Sequence, residues 1–131
     1  MEEALIAKLL ADAGVSALVV TRVYPGVRPQ ATALPAIVFN MISANPSYSD
    51  DGEDGIAEAR VQLDCWGATY TDAKKAARAV KAALSAFGGT VNGVRFRYIT
   101  LDLEHDIQET GANSESYPFR TSLDFIVVYD N

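Results

Sequence analysis

At 131 residues, 49% of them hydrophobic, the chain has the length of one domain, 1–131, and enough apolar material to bury roughly two thirds of the surface it exposes when unfolded. Seventeen acidic against eleven basic residues leave a net charge of −6, which argues against the broad cationic footprint of a nucleic-acid binder, and a single cysteine excludes a disulfide framework. No apolar run approaches the roughly 20 residues of a membrane span, and Met1-Glu2-Glu3 is unlike the basic start of an export signal, so a soluble protein of a reducing compartment, with no membrane partner, is expected.

In chain order, Leu5, Ile6, Leu9, Leu10 and Ala13 form a helical stripe, followed by Gly14 where a helix C-cap would place it. The first helix is therefore expected from Glu2 or Glu3 to Ala13. A short helical turn near Ser16-Leu18 and a short extended piece at Arg22-Tyr24 follow, the latter closed by the turn signal Pro25-Gly26. The prolines between Pro25 and Pro35 hold the next stretch extended without a core of its own. Ala36 to Ser43 is short and rich in strand formers, and a strand is expected there.

Ala59 to Trp66 alternates strictly: Ala59, Val61, Leu63 and Cys65 on one face, Arg60, Gln62, Asp64 and Trp66 on the other. The fifteen residues from Ala44 to Glu58 then join two neighbouring antiparallel strands, an unusually long connection. Its centre, Asp50-Asp51-Gly52-Glu53-Asp54-Gly55, repels itself and is expected to be an exposed, mobile flap. Beyond Gly67 the apolar period switches to three or four at Tyr70, Ala73, Ala77, Val80, Leu84 and Phe87. That predicts a long helix capped by Thr69 or Thr71 and ended by Gly88-Gly89.

Asn92-Gly93 is a tight-turn dipeptide. Val94 to Leu103 alternates but changes phase, Val94, Phe96 and Tyr98 against Ile99, Leu101 and Leu103, so a bulge is expected near Tyr98-Ile99. A polar connection from Glu104 to Pro118 leads to the terminal strand, Phe119 to Tyr129. The fold class is thus α+β: an antiparallel sheet of about four strands, two main helices packed on one face, and long projecting loops. The other face, with Arg60, Gln62, Asp64, Arg120, Ser122 and Asp124, should be wet. If the second and last strands are antiparallel neighbours, Arg60 opposes Asp124 and Asp64 opposes Arg120. Trp66, on the same face, is either the edge of a core or a contact for another chain.

Chemistry is sparse. No phosphate loop, GxSxG, HExxH or CxxC occurs, so no catalysis and no cofactor is expected. Cys65 sits on the core face and reads as a structural thiol. Asp102, Glu104 and Asp106 would share a face of an extended strand and could collect a hard cation, with His105 pointing away; a solvated acidic strand end is the plainer reading. The flap fails as a calcium loop, since Gly52 and Val61 fall where ligands are required.

Charge distribution is more informative. The outward side of the long helix carries Lys74, Lys75, Arg78 and Lys81, four of the eleven basic residues. They make either a solvated helix face or a basic stripe that docks against the acidic flap, Asp50, Asp51, Glu53 and Asp54, of a neighbouring copy. A contact between two different patches is heterologous and closes into a ring when the rotation permits.

Several segments taken together resemble a known family. Arg22-Val23-Tyr24-Pro25-Gly26, Leu34-Pro35-Ala36-Ile37-Val38-Phe39, Ala59-Arg60-Val61-Gln62-Leu63-Asp64-Cys65-Trp66 with Tyr70-Thr71-Asp72-Ala73, and Arg120-Thr121-Ser122-Leu123-Asp124-Phe125 resemble, in the same order, the tail-completion proteins (tail terminators, or tail-to-head joining proteins) of long-tailed bacteriophages and gene transfer agents. The resemblance implies a structural virion protein made in the host bacterial cytoplasm. It implies a ring, typically a hexamer, at the head-proximal end of the tail, which stops growth of the tail tube protein and presents a surface to the head-completion protein. DNA would pass through the ring without specific binding, as an acidic inner surface allows. The family motifs are fold residues, so no residue-level function is carried over. Two other readings stand beside it: a generic α+β binding module using the face around Trp66 for a peptide or small ligand, and a small metal-dependent enzyme using Asp102, Glu104 and Asp106.

Overall fold

The computed structural model describes residues 1–29, 32–108 and 118–131. Its elements are helices α1 (Glu2–Ala11), α2 (Ala13–Val19) and α3 (Tyr70–Leu84), and strands β1 (Val23–Pro25), β2 (Ala36–Ser49), β3 (Gly52–Gly67), β4 (Gly89–Val91), β5 (Val94–Gln108) and β6 (Phe119–Asp130). The strands form one curled sheet in the order β1-β2-β3-β6-β5-β4. The α+β class is as expected, but there are six strands rather than about four; α2 takes in the helical turn expected near Ser16-Leu18, and β1 overlaps the extended piece expected at Arg22-Tyr24. The two added strands, β1 and β4, have three residues each, too few to carry a period, and both lie at the sheet's edges. β1 runs parallel to β2, an exception to the antiparallel pattern of the other neighbours.

The expected first helix is divided at Asp12. That residue is extended (φ −76°, ψ 125°), and its Oδ1 accepts a hydrogen bond from the Val15 N–H at 3.0 Å, so it caps a new helix instead of continuing the old one. Gly14, read as a C-cap, falls inside α2. The α3 start is as expected: Thr69 Oγ1 accepts from the Asp72 N–H at 3.1 Å. Its end comes earlier than Phe87, because the Ala86 N–H donates to the Ile99 carbonyl (2.8 Å) and draws the chain onto β5.

All three helices bury their apolar sides in one core. Leu5 and Leu9 from α1, Val15 and Val19 from α2, and Ala76, Ala77, Val80 and Leu84 from α3 meet Ile37, Phe39, Val61, Leu63, Leu123, Phe125 and Val127 of the sheet. Alanines on α3 bring the helix close to β3. Cys65 is fully buried, and that burial pushes its thiol up, as suits an unreactive structural residue. Among the described residues no helix is long and apolar enough to cross a membrane.

The connection Ala44–Glu58 is not a loop. β2 and β3 run on through it as a hairpin, pairing Ala44 with Ala59, Asn45 with Glu58, Pro46 with Ala57, Tyr48 with Glu53 and Ser49 with Gly52, which leaves Asp50-Asp51 as the turn. Gly52 (φ +112°) and Gly55 (φ +83°) supply conformations that other residues rarely adopt, and local bonds fix the tip: Ser47 Oγ donates to Asp54 Oδ2 at 2.7 Å and the Ile56 N–H to Asp54 Oδ1 at 3.1 Å. β6 reaches only as far as Ile56, opposite Asp130, and β1 only as far as Phe39. The end of the hairpin is therefore an arm without flanking strands, and its residues are exposed, as the sequence suggested.

β5 likewise continues past Leu103, so Glu104–Gln108 of the expected connection is strand; residues 109–117 lie outside the described residues. The phase change resolves into two bulges, between Phe96 and Tyr98 and between Leu101 and Leu103. β3 and β6 are neighbours, but Arg60 lies opposite Ile126, Gln62 opposite Asp124, Asp64 opposite Ser122 and Trp66 opposite Arg120. The expected pairs are diagonal contacts instead, Arg60 to Asp124 at 3.9 Å and Arg120 to Asp64 at 3.6 Å. The register is set by core matches such as Leu63 with Leu123 and Val61 with Phe125.

Candidate functional site

The second bulge of β5 decides where its acids point. Glu104 and Asp106 pair with Leu123 and Thr121 and so share the helix-bearing face. There Lys81 Nζ lies 2.6 Å from Glu104, and Lys74 Nζ lies 2.7 Å from Asp106 and 3.5 Å from Glu104. Asp102 is left against Arg60, 2.7 Å away on the open face. The three acids expected to collect a cation are therefore split between two faces. Among the described residues no group of three metal-ligating side chains is found.

The same contacts divide the basic stripe of α3. Lys74 and Lys81 are neutralised by β5 of their own chain, while Lys75 and Arg78 remain exposed. The hydrogen bond from Lys81 holds the Glu104 carboxyl below its ordinary value, the one from Lys74 does the same for Asp106, and Asp106 in turn raises Lys74. Carboxyls lowered in this way stabilise the fold above their ordinary pKa and lose that contribution as pH falls through the lowered values. The partly exposed clasp is worth about 1 kcal/mol or less per pair. Wild type should thus lose more stability between about pH 5 and about pH 3 than Lys74→Met/Lys81→Met, read from urea midpoints; equal losses would show the clasp to be idle.

The open face is less wet than its composition suggests. Ser122 is fully buried and Asp64 is 7% exposed. Gln62 Nε2 donates to Ser122 Oγ at 2.6 Å, and that hydroxyl donates to Asp64 Oδ1 at 2.8 Å. Trp66 lies half-buried at the end of this ladder, between two guanidinium groups: Arg28 Cζ is 4.9 Å and Arg120 Cζ 5.0 Å from a ring centre of the indole. Together with Val38, Asn40 and Asp64 they line an open hollow of about 400 Å³.

Among the described residues five buried side-chain atoms lack any hydrogen-bond partner: Arg28 Nε, Trp66 Nε1, Arg120 Nε, His105 Nδ1 and Asp124 Oδ1. All lie on the open face or in the segment covering it. Of the residues expected to form interfaces, Trp66 is here, Asp50, Asp51, Glu53 and Asp54 are exposed around the hairpin tip, and Lys75 and Arg78 face solvent on α3. Sequence reading missed Arg28, a residue between strands with no period to place it. The nearby Arg120 was assigned to the correct face but not to the hollow.

Comparison with known proteins agrees with this architecture. A family model described as "Tail completion protein gp17" matches residues 3–130. A chain of a solved "Virion of native gene transfer agent (GTA) particle" superposes with a TM-score of 0.79 at 22% identity, over 100% of this chain and 95% of that one. A second solved chain superposes with a TM-score of 0.54 at 17% identity, covering 97% of this chain and 96% of its own. No curated protein matches the sequence.

Proposed function

The chain belongs to the tail completion protein gp17 family, structural proteins of phage tails, and from that premise we propose that it is a ring-forming tail terminator. In this reading six copies close a ring at the head-proximal end of the tail, contact the tail tube protein on one side and the head-completion protein on the other, and let DNA pass. The protein is not an enzyme; it acts by shape and charge, in the virion, after synthesis in the host cytoplasm. A chain with a net charge of −6 repels the phosphates moving past it.

The observation that carries the reading is the arm. A hairpin tip bearing Asp50, Asp51, Glu53 and Asp54 stands beyond the sheet, while basic side chains sit on other surfaces of the same chain, Lys75 and Arg78 on α3 and Arg28 and Arg120 on the open face. Two unlike complementary patches on one chain favour head-to-tail contacts, which build rings rather than two-fold dimers. Charge also sets register and encounter rate. Light scattering over a wide concentration range, at low and moderate salt, tests it. A discrete sixfold mass that weakens with salt is expected, and a strict monomer throughout would reject a ring formed in solution.

A further inference from the structure

We propose that the hollow formed by Arg28, Trp66 and Arg120 receives the acidic hairpin tip of a second copy of this chain. The inference rests on the ring reading above and names the contact that closes the ring. Its starting point is the lining: two guanidinium groups, Arg28 and Arg120, lie against the indole of Trp66 around one hollow. A carboxylate carries only acceptors and pairs with a guanidinium through charge-assisted hydrogen bonds.

The charges select the same kind of occupant. Asp64 is held by Arg120 at 3.6 Å and by the Ser122 hydroxyl at 2.8 Å, so Arg120 and Asp64 largely balance. Among the described residues no carboxylate lies within ion-pairing distance of Arg28, whose guanidinium stands beside the indole. The exposed acids on the described surface include a compact group at the hairpin tip, where Asp50 and Asp51 form the turn itself. Lys75 and Arg78 offer charge as well, but their exposed donors are already hydrated. The guanidinium groups of the hollow are partly buried against the indole, where a charge-assisted contact is screened less than on an open helix face.

Geometry makes the contact intermolecular. Ala36 pairs with Trp66 at one end of the β2–β3 ladder and Ser49 with Gly52 at the other. At about 3.3 Å per residue these ends are about 40 Å apart, so a tip cannot reach its own hollow. Each copy therefore offers a tip at one end and a hollow at the other, the arrangement of a head-to-tail ring.

The test uses full-length protein, light scattering, and the emission of Trp66, the one tryptophan of the chain. Wild-type emission should change across the concentration range in which mass increases, since docking removes water from the indole. Arg28→Glu should raise the dissociation constant about tenfold or more, and Asp50→Lys/Asp51→Lys, on a fully exposed turn, should do the same. Mixing these two variants should restore assembly, because each supplies the half the other lacks or the charge-swapped counterpart. If wild type and Arg28→Glu assemble equally well, the hollow is not the receptor and the ring reading survives, with Lys75→Glu/Arg78→Glu then expected to disrupt it. A wild type that stays monomeric at every concentration defeats both a ring formed in solution and this contact as what closes it.

Discussion

Gly67→Ala should cost about 3 kcal/mol, lowering the melting temperature by about 10 °C. Gly67 is buried at the end of β3, three residues before α3 begins. A Cβ there would stand 2.3 Å from the Ala73 nitrogen and 2.8 Å from the Asp72 carbonyl carbon, both backbone atoms of the first turn of α3. Side chains can rotate away from such a clash, but a helix backbone has to move as a body. The Thr69 cap ties that turn to the strand, so relief means breaking the cap or lifting Ala73, Ala76 and Ala77 away from the core. Thermal unfolding followed by circular dichroism checks this. A melting temperature within about 2 °C of wild type would mean that α3 slides freely on the sheet, which the close packing of its alanines contradicts.

The strand-to-helix switch around Gly67 was the most legible part of the sequence. Strict alternation through Cys65 and a three-or-four spacing from Tyr70 report burial directly, and burial is what the structure shows at Ala59, Val61, Leu63, Ala73, Ala77 and Val80. The arm was illegible for the complementary reason. With both sides of residues 44–55 exposed there is no apolar period, and the pairing is inherited from a register set inside the sheet. Glu104 and Asp106 read as a solvated strand end because their partners, Lys81 and Lys74, come from an element more than 20 residues earlier and meet them only through the fold. The like charges along α3, awkward when read on the helix alone, are relieved by those same acids. Of the hollow, Trp66 and Arg120 could be placed on a face by alternation, whereas Arg28 follows from no pattern.

Replacing residues 48–55 by Asn-Gly should leave a folded protein that neither assembles nor joins tails to heads. Ser47 and Ile56 would then flank a two-residue turn in the existing register, set by Pro46 opposite Ala57 and Ile56 opposite Asp130. Every residue removed is exposed, so the core keeps its contacts and the melting temperature should change little. Assembly should change completely, because in a head-to-tail ring the contact made by each tip is repeated at every boundary. A shortened copy still offers a hollow but no tip, and its presence leaves one boundary open. Rings drawn from an equimolar mixture would then be intact only when every copy is wild type, on the order of a few per cent for a sixfold ring. Joining should therefore collapse in the mixture well below half, measured as joined particles formed from separately purified heads and unterminated tails. Normal joining by the shortened protein alone would refute the arm's role outright. Activity in the mixture that merely halves would show that tips act one at a time, on the tube or the head, and that ring closure lies elsewhere on the chain.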